Sequence, residues 1–335
     1  MDNRSTEIDV MRGLCMLCVI LGHCISNIYN PVNQFILSFH MLAFYFISGM
    51  CYKKSDKPLS QIIFRKFQRL GWPWLTFSLL WIPISYIYVL VGLSPSPEII
   101  KILVAVFWPD GIIGGDGPLG FWFVYDLLII SIFFPVFHKI FKNAFVIILL
   151  AIVAGVALYY CDTDFYQKSR ITRLLLGVAF YGLGYKVWYS RPSLPPPIFI
   201  YFSLFACLCV TIWLSQNNRP VTLYNMLCGN IYYCLLTGFL GTLMLYGCSI
   251  IIKSNSILEH VGKNSIVYLF FHFHVRQIFF AIDHYLCLSE IAPVMWYGGM
   301  FLLVSMTCFY IADFVNQYVP WLSKLPSRYK SGCSC

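Results

Sequence analysis

The sequence predicts an all-α protein, a polytopic integral membrane bundle of about ten transmembrane helices with the N-terminus and C-terminus cytoplasmic. Three observations carry that prediction. Of the 335 residues, 59% are hydrophobic and only 11% charged, with mean hydropathy +0.73, whereas soluble domains carry about 25% charged residues. Apolar runs of roughly 20 residues, the length that crosses a bilayer as helix, recur along the chain. Lysine and arginine gather in alternate connecting segments, which the positive-inside tendency makes the cytoplasmic ones. Residues 1–335 are therefore expected to form a single membrane domain. The net charge of +9 comes from those connecting segments and does not call for nucleic acid.

The first apolar run, 11–30, follows Glu7 and Asp9, has Arg12 at its start and is not followed by a small-residue cleavage site, so it reads as a retained span. It contains His23. The second, 32–52, contains His40 and the pair Ser48-Gly49. Residues 53–71, KKSDKPLSQIIFRKFQRLG, form the most basic connection, with Ile62, Ile63, Phe67 and Leu70 at helical spacing. That pattern describes an amphipathic helix within a cytoplasmic basic loop, lying on the inner leaflet. Attraction to anionic membrane lipid explains it most simply; a grip on a polyanionic ligand is the functional alternative.

Spans are expected at 72–93, 119–138, 143–160, 170–189, 196–215, 228–251, 264–286 and 294–316. Turn formers fill gaps such as 191–197 and 216–220. Segment 98–108 is too short to span and is expected to lie on the surface or re-enter. Residues 325–335 are expected to be a disordered tail. No internal repeat is visible, which weakens a transporter built from inverted halves.

Ionisable groups inside hydrocarbon are costly and mark function by default. Arg12 and His23 are eleven residues apart, so on a helix they share nearly one face about 16 Å apart. Counting depth at 1.5 Å per residue, His23, His40 and His272 fall at a similar level on three spans. A shared polar cavity follows, with imidazoles suited to proton transfer near neutral pH. His274 is about 200° round the helix from His272, so the two face different surroundings. Ser48 either bonds back to its own helix or serves as a nucleophile. Trp122 has the alternative of being an interfacial aromatic. No metal is expected, because no acidic residue lies at that depth and no histidine pair has i, i+4 spacing. Cys15 and Cys18 read as packing groups rather than a redox pair. The acids Asp110, Asp116, Asp162, Asp164, Asp283 and Glu290 fall on the outer side, where they are solvated or receive a polar acceptor.

Several segments, in order from residue 7 to about 274, resemble the bacterial integral membrane acyltransferase family 3, especially its fucose 4-O-acetylase-like branch. EIDVMRGLCMLCVILGH resembles the N-terminal signature, Arg and His with ten residues between them. SFHMLAFYFISG resembles a segment carrying His40, Ser48 and Gly49, although Leu42-Ala43 stand where the branch has Pro-Leu, so this span is expected to lack a kink. FRKFQRLGWP is similar to the basic loop, with Lys66 and Arg69 in place of paired arginines. GFWFV, RLLLGVAFYGLGY and GKNSIVYLFFH are similar to segments carrying Trp122, Arg173, and Tyr268 with His272.

The resemblance implies a membrane O-acyltransferase of the bacterial inner membrane. It would move an acyl group, acetyl in the first instance, from cytoplasmic acyl-CoA to a sugar hydroxyl of an envelope glycan. Acetyl-CoA or another acyl-CoA is thus a co-substrate, with no permanently bound cofactor. Arg12, Lys66 and Arg69 would hold the donor phosphates, with His23 as general base and His40 or His272 orienting it or stabilising the oxyanion. An acyl-enzyme on His23 or Ser48 is the alternative to direct transfer. Trp122, Arg173 and Tyr268 would bind substrate. A homodimer is left open. The rival is a proton-coupled transporter or flippase using the buried His and Arg as a path.

Overall fold

Asparagine side chains mark where several helices begin. Asn30, Asn143, Asn230 and Asn255 each accept a hydrogen bond from a backbone N–H two or three residues on, at 2.9–3.0 Å. Each satisfies a donor that the first helical turn leaves open. The runs that follow are too apolar to leave backbone groups unpaired in lipid, and helix pairs them internally. The computed structural model describes residues 5–25, 27–55, 57–90, 121–161, 165–190 and 196–325. Segment 98–108, the acids Asp110, Asp116, Asp162 and Asp164, and residues 326–335 of the expected tail lie outside them.

The described chain is helical, without strands. Its helices are α1 (Thr6–Cys24), α2 (Pro31–Leu37), α3 (His40–Met50), α4 (Leu59–Lys66), α5 (Trp72–Leu90), α6 (Phe121–Phe141) and α7 (Ala144–Tyr160). They continue as α8 (Phe165–Tyr189), α9 (Pro197–Gln216), α10 (Ile231–Ile252), α11 (Ser256–Lys263), α12 (Ser265–Leu286), α13 (Leu288–Ile291) and α14 (Pro293–Tyr318). Every expected span has a helix. By length and apolar composition alone, 7 segments among the described residues qualify to cross a membrane. The others differ for physical reasons. Helix α1 carries Glu7, Asp9 and Arg12, α8 carries Arg170, Arg173 and Lys186, and α7 is 17 residues long.

One expectation changes. The second span is interrupted despite lacking proline. Helix α2 stops at Leu37, Phe39 takes φ −137°, and α3 starts at His40. The Ser38 hydroxyl donates to the Phe35 carbonyl at 2.7 Å, a side-chain bond that competes with helix continuation. The helix expected within 53–71 is present from Leu59. A π-helical turn, Phe67–Gly71, joins α4 directly to α5, the kind of local widening that re-aims side chains in functional helices. Ile63, Phe64 and Phe67 are exposed on it, while Leu70 packs on the core.

Close approaches fix α1 and α3. A side chain at Gly13 would strike the Leu258 carbonyl and one at Gly262 the Asp9 carbonyl, so α1 and α11 pack backbone to backbone. Gly49 does the same for α3 against α8 at Tyr181. Helix α1 is thereby held in the centre, in contact with α3, α10, α11, α12 and α14.

Candidate active site

His272 is fully buried on α12. Its Nδ1 lies 2.8 Å from the carbonyl oxygen of Tyr268, one turn earlier. A carbonyl only accepts, so Nδ1 carries the proton and Nε2 the lone pair. That Nε2 is buried and has no hydrogen-bond partner. Leaving a buried acceptor unsatisfied costs about 1–3 kcal/mol, a cost characteristic of a group kept for function.

His23, half-buried in the last turn of α1, faces this ring. The two centroids are 5.3 Å apart with planes at 38°, and Phe273 lies against both at 4.4 and 4.2 Å. Sequence reasoning missed Arg276 as part of this group. One turn beyond His272 on α12, its Nη1 donates to the backbone oxygen of His23 at 3.0 Å. That carbonyl belongs to the last turn of α1, where carbonyls lack helical partners. The guanidinium also lies over Phe273 and Phe280 at 5.2 and 4.8 Å, and its Nε is buried without a partner. The signal was available: Arg276 is a charge inside an apolar run, spaced i, i+4 from His272.

The other candidates occupy separate places. His40, first residue of α3, turns its Nδ1 to the Ile36 carbonyl at 2.8 Å, across the break that ends α2. Its own carbonyl accepts from Cys15 Sγ at 3.1 Å. Among the described residues its ring makes no ring contact with His23 or His272, but it lies within electrostatic reach of His23. Ser48 lies two turns further along α3 and makes no hydrogen bond among the described residues. His274 turns the other way, its Nδ1 2.8 Å from the Tyr88 hydroxyl and its ring stacked on Trp81 at 5.2 Å.

At the opposite end of the α1 face, Arg12 Nη1 donates to Asp9 Oδ1 at 3.2 Å and Nη2 to Cys51 Sγ at 3.4 Å. Lys66 lies within electrostatic reach of the same Cys51 and of Arg69. Cations from α1, α4 and the π-helical turn therefore converge around the end of α3.

Trp122 and Arg173 meet in a buried network with an unforeseen member, Asp126 on α6. Arg173 Nε donates to Asp126 Oδ2 at 2.5 Å and Nη2 to Oδ1 at 3.3 Å. Nη1 donates to the Tyr224 carbonyl, and the guanidinium stacks on Trp122 at 4.6 Å. Tyr45 adds a hydroxyl to Asp126 at 3.4 Å. Arg173 is 1% and Asp126 0% exposed, which makes the pair a fixed internal clamp joining α6 to α8. Tyr268 is also fully buried. Its hydroxyl approaches His260 Nδ1 at 3.5 Å, and His260 Nε2 lies 2.9 Å from Asp313 Oδ1. Its link to the histidine pair is its backbone carbonyl.

A family model described as an acyltransferase domain matches residues 5–322. The chain belongs to the acyltransferase 3 family. The match takes in α1 through α14, and with them both ends of the Arg12–His23 face, the histidine pair and the Arg173 clamp. No curated protein and no solved structure matches the chain. Membership of this family, together with the apolar helices, makes the protein a multi-pass membrane acyltransferase; the transporter alternative gains no support.

Proposed function

We propose that the protein is an O-acyltransferase of the fucose 4-O-acetylase-like branch, acting in the bacterial inner membrane. It moves an acyl group, acetyl in the first instance, from acyl-CoA to a sugar hydroxyl of an envelope glycan. Ten crossings with both termini cytoplasmic complete this reading, because they put Arg12, Lys66 and Arg69 on the side where acyl-CoA is made. The observation that carries it is the His23–His272 pair, in which a buried imidazole nitrogen retains its lone pair.

The donor phosphates bind where Arg12, Lys66 and Arg69 converge, since guanidinium and ammonium groups clamp phosphate well. The pantetheine arm then follows the α1 face for about 16 Å, bringing the thioester to His23. The pair supplies the general base for the acceptor hydroxyl. Transfer is direct: Ser48 sits near the Arg12 end of α3, away from the pair, and the carbonyl carbon passes from sulfur to the sugar oxygen. His40, fixed at the break in the second span and within electrostatic reach of His23, orients that base or stabilises the oxyanion. Trp122, Arg173 and Tyr268 act on substrate through the shape they fix.

Mass spectrometry of envelope glycans with and without this chain tests the reading. Loss of an acyl increment from one glycan is expected. An unchanged glycan profile, together with no acyl-CoA turnover by the purified protein, would overturn it.

A further inference from the structure

His272 and Arg276 present two unsatisfied atoms of opposite hydrogen-bonding sense beside one histidine. His272 Nε2 is an acceptor, because Nδ1 already donates to Tyr268. Arg276 Nε–H is a donor, buried without a partner. The residues are i, i+4 on α12, which puts them on one face. The Arg276 guanidinium lies over Phe273, the residue next to His272, and within electrostatic reach of His272 itself. Its Nη1 bond to the His23 carbonyl fixes it there, and its charge reaches both imidazoles.

An alcohol hydroxyl is a group that satisfies both atoms at once, donating through O–H and accepting through a lone pair. We propose that His272 Nε2 and Arg276 Nε form the cradle of the acceptor hydroxyl, so that His272 takes the proton and Arg276 holds the attacking oxygen. This rests on the acyltransferase reading and divides its chemistry between named atoms. The hydroxyl oxygen attacks the thioester carbonyl carbon as its proton passes to His272. The new C–O bond forms, the C–S bond breaks, and the proton returns to the CoA sulfur. His23, at the end of the face that starts at Arg12, meets the thioester from the donor side. Arg276 thereby becomes a catalytic residue that contacts the acceptor.

The test uses the full chain in lipid vesicles with labelled acetyl-CoA, methyl α-L-fucopyranoside as the probe alcohol, and water as the background acceptor. For Arg276→Gln, KM for the fucoside is expected to rise about tenfold or more, as for a lost charge-assisted bond, with KM for acetyl-CoA unchanged. His272→Asn is expected to lower kcat with both acceptors by about a hundredfold or more, again without changing KM for acetyl-CoA. Wild-type kinetics in either variant would overturn the cradle. So would a purely structural pattern in Arg276→Gln, in which melting temperature falls and both KM values rise together. No label transfer to fucoside or water by the wild type would overturn the acyltransferase reading itself, which separates the two failures.

Discussion

The rings of His23 and His272 lie with centroids 5.3 Å apart, one from the first helix of the chain and one from α12. Phe273 packs against both and Arg276 ties the backbone of one to the helix of the other. The pair is thus held by three independent contacts. It stands at the far end of the helix face that begins with Arg12.

If the two imidazoles act as one unit, their losses do not add. His23→Ala and His272→Ala are each expected to reduce acyl-CoA turnover in vesicles by about 10²–10⁴. The double variant is expected to lose little more than the worse single one. Steady-state kinetics of the three variants check this; multiplicative losses would place the residues in separate steps.

The cations at the other end should act on binding alone. Arg12→Ala is expected to raise KM for acyl-CoA by about tenfold or more with kcat nearly preserved, and Arg12→Lys to recover part of it. Lys66→Ala and Arg69→Ala should move in the same direction. A fall in kcat at constant KM would remove these groups from the donor site.

Direct transfer leaves nothing on the protein. In a single turnover with labelled acyl-CoA and no acceptor, denatured protein is expected to retain no label. Label retained by the wild type and absent from Ser48→Ala would show an acyl-serine step.

Much of this arrangement was legible in the sequence because it follows from one-dimensional rules. Apolar length pointed to the helices, eleven-residue spacing put Arg12 and His23 on one face, and a 200° rotation separated His274 from His272. What stayed hidden depends on contacts between distant segments. Nothing local says that Asp126 awaits Arg173, or that Gly13 and Gly262 let α11 lie against α1. The break at Ser38-Phe39 was hidden because proline, the usual signal, is absent. Arg276 could have been found. Its i, i+4 register with His272 and its charge inside an apolar run are both visible in the sequence.

Removing one partner of a buried ion pair takes away a strong interaction of the other. Asp126→Asn or Arg173→Met is expected to destabilise the protein by about 3–5 kcal/mol, lowering its melting temperature in detergent. The double variant should recover part of the loss, since it removes both members of the pair. Gly49→Ala is a second stability test. Its new methyl would strike the Tyr181 carbonyl, and such overpacking costs about 1–3 kcal/mol.

The central claim is that acyl groups leave acyl-CoA at the His23–His272 pair. Release of free CoA thiol from acetyl-CoA by the purified chain in vesicles, compared with that by His23→Ala and His272→Ala protein of unchanged melting temperature, tests it most directly. Turnover by the wild type, with loss in both variants, is the predicted result. Full turnover by either variant, or none by the wild type with any acceptor, would contradict it.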